Sequence, residues 1–289
     1  MKPAIERYPI EVFGTVYNDN SKQAILQREQ QFCPFIGRQC NKPRKSEPEV
    51  KVGICSLGYK NFDNDFEPMI ICPNRFLEGI VFDTIKQKFF PTWKPEQTKW
   101  IKGVNLGVGG NVDFVASKIS ESNDSVEDFL CVEFQANGTT GSPYGYVKDL
   151  ISNGCYSEKY TYGLNWANEF MKTMMQQVYK KGNIVAHWGR KIVFVIQDTA
   201  MEYLYHTVDT SELRECMEDP IHFFTYKIIW NDEKCKFELC HSGWKSADLH
   251  GINTILAGAN LEKYLTPEDF ISNIEAKGKA DGILNNDRN

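Results

Sequence analysis

The clearest pattern in the chain is a pair of apolar runs, residues 112–116 and 129–136, separated by a polar, serine-rich stretch. Runs of this length, bounded by glycine and polar residues, predict two β-strands. Side chains alternate between the two faces of a strand. We therefore expect Glu133 and Gln135 to share one face, while the apolar residues beside them face a core.

Helical and strand-like patterns recur along the rest of the chain. A nearly continuous apolar run at 191–197 is typical of a strand that is covered on both faces. Ser21 and Thr266 each precede a helical stretch and are suited to cap it. The other predicted elements are a strand at 10–16, helices at 21–31, 73–90 and 164–181, a hairpin of strands at 222–230 and 236–241, and a helix at 267–277 followed by a frayed tail from 281.

Length, charge and cysteine count limit the class of protein. A chain of 289 residues can form one large α/β domain, or a core domain with a small appendage. It shows no signal peptide and no apolar run of membrane-spanning length, which predicts a cytoplasmic protein with no membrane partner. Its nine cysteines, an odd number, are then expected to be reduced. The net charge of −5 means that any DNA-binding surface must come from a local basic cluster.

Acidic residues on the two apolar runs are the first candidate site. If the two predicted strands pair, Asp113 lies beside Glu133. Two carboxylates at one edge of a sheet suit Mg²⁺, which takes oxygen ligands and keeps several waters, and the backbone carbonyl of Phe134 is a further candidate ligand. This layout is that of a metal-dependent phosphodiesterase. It makes Asp113, Glu133 and Gln135 the candidate catalytic residues.

Four of the nine cysteines fall in a segment rich in Pro, Gly, Asn and Asp: Cys33, Cys40, Cys55 and Cys72. The segment lacks long hydrophobic periodicity and is expected to bury little apolar surface on its own. A structural centre of four thiolates holding Zn²⁺ or Fe would compensate for the missing core. The alternative is four buried, reduced cysteines that pack as small hydrophobic side chains. The remaining cysteines are interpreted as packing residues: Cys131, Cys155, Cys216, Cys235 and Cys240.

Residues 36–60 carry six basic and two acidic side chains in an otherwise acidic chain. This segment is either a DNA-contacting loop or an ordinary solvated loop. A polar loop at 137–146 follows the second apolar run and either contacts phosphate or bases, or is a plain turn rich in Gly, Ser and Pro. The candidate DNA-contacting residues are Arg38, Lys42, Arg44, Lys45, Asn137 and Thr139.

The motifs VDFV (112–115) and CVEFQ (131–135) resemble the catalytic core of the PD-(D/E)xK nuclease superfamily, in the variant with Gln in place of the usual Lys. With the four cysteines in front, residues 32–198 are similar to the NotI-type restriction endonucleases, a group that includes EagI. The resemblance implies a PD-(D/E)xK core, a mixed central sheet flanked by helices, over residues 76–289. It also implies a small metal-binding region with four cysteine ligands that contacts DNA over residues 1–75, with iron as its metal, although four sulfur ligands also suit zinc.

The same resemblance implies a type II enzyme that cuts double-stranded DNA at a GC-rich palindrome containing GGCC, by Mg²⁺-dependent hydrolysis. A palindromic site calls for a C2 homodimer, and a DNA methyltransferase acting on the same site is a candidate partner in a restriction–modification system. Gln135 would orient the attacking water or a phosphate oxygen. Glu78 is either a further metal-site carboxylate, as in some members of the superfamily, or a solvated first-turn glutamate. Two other interpretations stay open: a repair or mobile-element nuclease, and an inactive, metal-stabilised DNA-binding protein.

Overall fold

The computed structural model describes residues 2–44, 47–122, 125–257 and 266–281. Its strands are β1 (Pro9–Val12), β2 (Thr15–Val16), β3 (Phe32–Cys33), β4 (Arg38–Gln39), β5 (Ile54–Lys60), β6 (Phe66–Ile70), β7 (Thr98–Asn105), β8 (Asn111–Ile119), β9 (Val126–Phe134), β10 (Thr139–Gly141), β11 (Tyr162–Leu164), β12 (Ile192–Gln197), β13 (Ile221–Asn231) and β14 (Lys236–Ala247). Its α-helices are α1 (Lys22–Glu29), α2 (Gly79–Phe89), α3 (Tyr144–Asn153), α4 (Met175–His187), α5 (Asp198–Thr207), α6 (Leu249–Ala257) and α7 (Pro267–Ala280). A π-helix, Trp166–Met174, leads into α4, and 3₁₀ turns lie at Pro73–Phe76, Pro95–Gln97 and Gly107–Gly109.

The largest sheet has six strands in the order β14-β13-β12-β9-β8-β7. β12 runs parallel to both of its neighbours, β9 and β13, while the other pairs are antiparallel. Every residue of β12 is buried, as expected for a central strand that is covered on both faces. The buried strand predicted at 191–197 is therefore confirmed, at the centre of the sheet.

Helices cover one face of this sheet, and a helix and a second sheet cover the other. On the first face, Met174 and Val178 pack against Phe194 of β12. On the second face, Val81 and Ile85 of α2 belong to the same core cluster as the strand residues Val132 and Val195. The predicted α/β class, a mixed sheet flanked by helices, is confirmed at this level.

The second sheet, β2-β1-β5-β6, lies in the N-terminal part of the chain. Its strands β5 and β6 come from the cysteine-bearing segment, which was expected to bury little apolar surface. Five of the seven residues of β5 are nevertheless buried, and Leu57 and Ile70 are fully inaccessible. The segment reaches this burial not on its own but by packing against other elements, since Ile70 shares a core cluster with Val81 of α2 and Leu57 shares one with Tyr146 of α3. The Pro- and Gly-rich composition hides two short strands, β5 and β6, that pair with each other, and β5 also pairs with β1.

The strand predicted at residues 10–16 is two strands. Phe13 and Gly14 both adopt positive φ, 49° and 76°, and this turn folds β2 back onto β1. The apolar run conceals the turn because the ring of Phe13 is itself buried, with 1% exposure.

Two predicted helices have different bounds in the structure. The stretch 73–90 begins as a 3₁₀ turn, and α2 starts only at Gly79, with Glu78 at its N-cap. The stretch 164–181 begins at the end of β11, continues as a π-helix, and extends in α4 to His187. Apolar periodicity marks which face is buried, but it does not distinguish between the hydrogen-bonding patterns of these helices.

The remaining element predictions are confirmed. The hydroxyl of Ser21 accepts a hydrogen bond from the backbone N–H of Ala24 at the start of α1, and Thr266 forms a capping box with Asp269 at α7. β13 and β14 pair as the predicted hairpin. Residues 282–289 of the predicted tail lie outside the described residues. Within the described ranges, no helix combines the length and the apolar character that crossing a membrane requires.

Candidate active site

The two strands with the acidic residues pair as predicted. β8 and β9 are antiparallel with Phe114 opposite Val132, a register that places Asp113 beside Glu133. The backbone N–H of Asp113 donates to Oε1 of Glu133 at 3.3 Å, and that of Phe134 donates to Oδ2 of Asp113 at 2.9 Å. The structure therefore brings the two carboxylates together, at the beginning of β8 and the end of β9.

Each carboxylate has one oxygen held by the protein and one left open. Within the described residues, no donor binds Oδ1 of Asp113 or Oε2 of Glu133. Two such oxygens, completed by waters, are of the type and number that proteins commonly offer to Mg²⁺. Among the described residues, no group of three or more acidic, His or Cys side chains is arranged to hold a metal ion. A cation at this site would therefore rely on the carboxylate pair, a backbone carbonyl and waters.

Burial dominates the electrostatics of Glu133. Its side chain is 7% exposed, and burial, followed by the negative charge of Asp113, raises its pKa from 4.5 to about 7. The ion pair with Lys181 acts in the opposite direction but offsets the burial only in part. Near neutral pH this carboxyl group can therefore exchange its proton for a cation.

Lys181, which the sequence analysis did not single out, completes the site. Its Nζ lies 2.7 Å from Oε1 of Glu133, and its side chain is 7% exposed. The residue comes from α4, on the buried face that also carries Val178 and Val185. The sequence does contain a signal for this burial. Lys181 lies three residues after Val178 and four before Val185, so helical periodicity places it on the apolar face of the helix.

Gln135 follows β9 directly. Its backbone N–H donates to the carbonyl of Val195 at 2.9 Å, which extends the pairing with β12 by one residue. Its side-chain amide donates to the carbonyl of Ala136 at 3.2 Å rather than to either carboxylate. Gln135 also lines the cavity that contains the four N-terminal cysteines, and its predicted catalytic role stays a prediction.

Two of the predicted DNA contacts, Asn137 and Thr139, lie just after β9. Asn137 is 6% exposed, and its side-chain amide donates to Oε1 of Gln197 at 3.3 Å, so it ties the loop after β9 to the end of β12. Thr139 begins β10 and is half-buried. Lys45 lies outside the described residues. Their contacts with DNA stay predictions.

The other basic candidates differ in accessibility. Arg38 is exposed on β4, and Lys42 lines a cavity together with the four N-terminal cysteines. The guanidinium of Arg44 lies 2.6 Å from Glu47 and 4.5 Å from the centre of the Tyr144 ring. These contacts hold Arg44 in one position, whereas Arg38 is open to solvent.

The four N-terminal cysteines line one cavity of about 520 Å³: Cys33, Cys40, Cys55 and Cys72. All four are buried, and burial raises the pKa of the Cys55 thiol well above its usual range and that of Cys72 to about 11. Residues 135–139, directly after β9, line the same cavity. Four sulfur donors around one cavity are a donor set that suits Fe or Zn. In the described residues, however, no three of the four thiols are close enough together to hold a metal ion. The four-cysteine metal centre stays a prediction.

The interpretation of the other cysteines as packing residues needs correction. Cys131 is buried, Cys216 and Cys240 are half-buried, but Cys155 and Cys235 are exposed. Both exposed thiols lie just outside regular elements, Cys155 after the C-terminus of α3 and Cys235 in the turn before β14. Residues in such turns face solvent because they have no neighbouring element to cover them.

Comparison with protein-family models matches residues 16–239 of the 289 to the family described as restriction endonuclease NotI. The matched range contains the carboxylate pair, Lys181 and the four cysteines of the cavity. The protein is therefore a restriction endonuclease by class, a nuclease family whose substrate is double-stranded DNA. Within that class, the chain belongs to the NotI restriction endonuclease family, which confirms the similarity of residues 32–198 to the NotI-type enzymes. Comparison with curated proteins gives no match.

Proposed function

We propose that the chain is a type II restriction endonuclease that cleaves double-stranded DNA at a GC-rich palindrome by Mg²⁺-dependent phosphodiester hydrolysis on a PD-(D/E)xK core. The observation that carries the proposal is the carboxylate pair on β8 and β9. Asp113 and Glu133 each present an open oxygen at the same place, inside the range that the family covers.

The open oxygens of Asp113 and Glu133, with the backbone carbonyl of Phe134, would hold the Mg²⁺. When bound, the ion lowers the pKa of a coordinated water and stabilises charge on the reacting phosphate. The backbone N–H groups of Asp113 and Phe134 fix the other carboxylate oxygens, so the site is oriented before the ion arrives. Gln135, an uncharged amide, would orient the water or a phosphate oxygen.

The partners follow from the same activity. Cleavage of both strands of a palindrome calls for two symmetric sites, so we propose a C2 homodimer, with a methyltransferase acting on the same sequence as its cognate partner. Arg and Lys side chains donate to guanine O6 and N7, and the exposure of Arg38 supports it as one such contact. The other proposed contacts are Lys42, Arg44, Lys45, Asn137 and Thr139.

The cysteine cavity supports a second proposal, a structural Fe (or Zn) held by Cys33, Cys40, Cys55 and Cys72. Elemental analysis of the purified protein is expected to find about one such metal per chain. Cys55→Ala should lose it, whereas Cys131→Ala, which removes a buried thiol elsewhere, should keep it. Wild-type protein without metal, or equal metal content in the two variants, would contradict this proposal.

Catalysis is tested by incubating a long duplex DNA with Mg²⁺ and the wild type, Glu133→Gln or Asp113→Asn. Both substitutions keep the side-chain shape and remove the charge. The matched control is Asp128→Asn, an acidic residue of β9 whose side chain is 46% exposed and pairs with Arg190. Discrete fragments from the wild type and the control, and none from the other two variants, are the expected result.

Other results identify the rival functions. A smear that depends on Glu133 indicates a repair or mobile-element nuclease without a fixed site. Intact DNA with folded wild-type protein indicates a DNA-binding protein without activity. Equal cleavage by Glu133→Gln and the wild type rules out the carboxylate pair as the catalytic centre.

A further inference from the structure

A lysine is buried beside the carboxylate pair. Lys181 lies on α4, and 5% of the residue is exposed to solvent. Lysine is almost never this inaccessible unless its charge is paired. Here the pair is Glu133, whose Oε1 lies 2.7 Å from the ammonium nitrogen.

Every proton of this ammonium group has an acceptor. Nζ donates to Oε1 of Glu133 and to the backbone carbonyl of Asn111, both at 2.7 Å, and to Oε1 of Gln177 at 3.3 Å. An ammonium has three donors, so the three bonds fix its position and leave none for a substrate phosphate. Lys181 therefore acts through Glu133 rather than on the DNA itself.

These contacts select one rotamer of the Glu133 carboxylate. Oε1 accepts from both Lys181 and the backbone N–H of Asp113, which leaves Oε2 as the open oxygen. Asn111 is the first residue of β8, the strand that carries Asp113. One ammonium group thus links α4, the start of β8 and the end of β9 around the site.

We propose that Lys181 is the positioning residue of the active site, which holds Glu133 so that Oε2 faces the catalytic cation. The proposal rests on the function proposed above, with Asp113 and Glu133 as ligands of that cation. Lys181 places its positive charge beside Glu133 from α4, and because its three protons are engaged it does not act on the substrate phosphate.

Two effects of removing Lys181 oppose each other. Losing a nearby positive charge draws a cation more strongly to the site. Losing the 2.7 Å hydrogen bond from Lys181 leaves the buried carboxylate with only the 3.3 Å bond from the backbone N–H of Asp113 to fix its orientation. Removing such an outer partner of a metal ligand typically costs about 10- to 100-fold in metal affinity or activity. We expect the loss of orientation to be larger, because Glu133 is too buried for water to replace the lysine.

The test compares Lys181→Met and Lys181→Arg with Lys180→Met, a control on the same helix whose side chain is exposed. Two quantities are measured for each: the Mg²⁺ dependence of DNA cleavage, and the binding of Mn²⁺ to the protein by electron paramagnetic resonance. Thermal unfolding reports whether each variant is folded. If Lys181→Met is unfolded at the assay temperature, Lys181→Gln, which keeps a donor without the charge, takes its place.

Lys181→Met should weaken Mn²⁺ binding and raise the Mg²⁺ concentration for half-maximal cleavage, each by about 10- to 100-fold. Lys181→Arg should recover part of both, and the Lys180 control should match the wild type. Unchanged or tighter cation binding in folded Lys181→Met overturns the positioning role, even if cleavage falls. Two other results would contradict the proposed function rather than the role of Lys181. In the first, Glu133→Gln binds Mn²⁺ and cleaves DNA as the wild type does. In the second, the wild type does not cleave DNA at all. If the wild type does not cleave DNA, the difference in Mn²⁺ binding between the wild type and Lys181→Met still tests whether Lys181 positions Glu133.

Discussion

Replacing Arg75 with Met tests how the N-terminal sheet is joined to the large sheet. The guanidinium is fully buried and contacts three separate elements. Its Nε lies 3.0 Å from Oε2 of Glu11 on β1, and Nη2 donates to the carbonyl of Phe237 on β14 at 3.0 Å. Nη1 pairs with Glu78, the N-cap residue of α2. Glu78, one of the carboxylates that the superfamily resemblance makes a candidate metal ligand, is therefore engaged in this ion-pair network.

The cost of the substitution comes mainly from Glu11. Its side chain is 4% exposed, and without Arg75 its remaining side-chain partner is the hydroxyl of Ser56 at 2.7 Å. Glu78 is 26% exposed and can regain water. Leaving one buried charge without its partner costs about 3–5 kcal/mol. Proteins are typically stable by only about 5–15 kcal/mol, so this is a large fraction of the total.

Urea unfolding at pH 7, followed by tryptophan fluorescence, measures the difference. Arg190→Met is the matched control, because Arg190 pairs with Asp128 at 3.2 Å with 39% and 46% of their side chains exposed. Such a pair is worth less than about 1 kcal/mol. Arg75→Met with Glu11→Gln should recover much of the loss, since the unpaired charge is then gone. The reasoning is refuted if Arg75→Met is as stable as the control, or if the double variant recovers nothing.

Two further predictions concern stability. Burial and then the charge of Asp198 raise the pKa of Glu67 from 4.5 to about 7, so the folded state binds this proton more tightly and stability should fall between those pH values as pH rises. The free energy of unfolding of Glu67→Gln should therefore exceed that of the wild type by about 1 kcal/mol at pH 8, after allowing for partial exposure, and should equal it at pH 4. Glu29→Gln, at an exposed position, is the control and should leave the stability unchanged at both pH values. Melting temperatures measured across this pH range check the sign. A Cβ on Gly182 would lie 2.5 Å from Cδ1 of Ile221, so Gly182→Ala should lose about 1 kcal/mol despite its better helix propensity. Adding Ile221→Val, which removes that atom, should raise the melting temperature of the variant; a further decrease would contradict the steric argument.

The carboxylate pair was predictable from sequence because it depends on local rules. Alternation fixes which side chains share a face, and two consecutive strands commonly pair. Asp113 and Glu133 therefore needed no knowledge of the rest of the fold. Lys181 is 48 residues from Glu133, and its contact depends on where α4 crosses the sheet. Periodicity shows that Lys181 is on the buried face, but it does not show which residue it meets there.

The N-terminal region shows the same difference between what local sequence patterns predict and what long-range contacts determine. Turn residues hide short strands, so β5 and β6 were not predicted; β6 pairs with β5 as a local hairpin, and β5 also pairs with β1, which is distant in the sequence. Arg75 and Glu11 are 64 residues apart, and nothing in the local pattern marks either as buried. Sequence patterns thus indicate the chemistry available in this region, while tertiary contacts decide which groups meet.

Gln197 explains why the cysteine region and the carboxylate pair should depend on each other. Its side chain, at the end of β12, accepts from the backbone N–H of Ile70 at 2.6 Å and donates to the carbonyl of Pro68 at 2.7 Å. The same Oε1 accepts from Asn137 at 3.3 Å, in the loop that follows β9 and lines the cysteine cavity. A disturbance at the cysteines can therefore reach the end of β9 through buried contacts. If the proposed function is right, Cys55→Ala should reduce DNA cleavage. The effect would be indirect, because among the described residues no cysteine forms a hydrogen bond with Asp113 or Glu133. Full activity in metal-free Cys55→Ala would show that the two regions are independent.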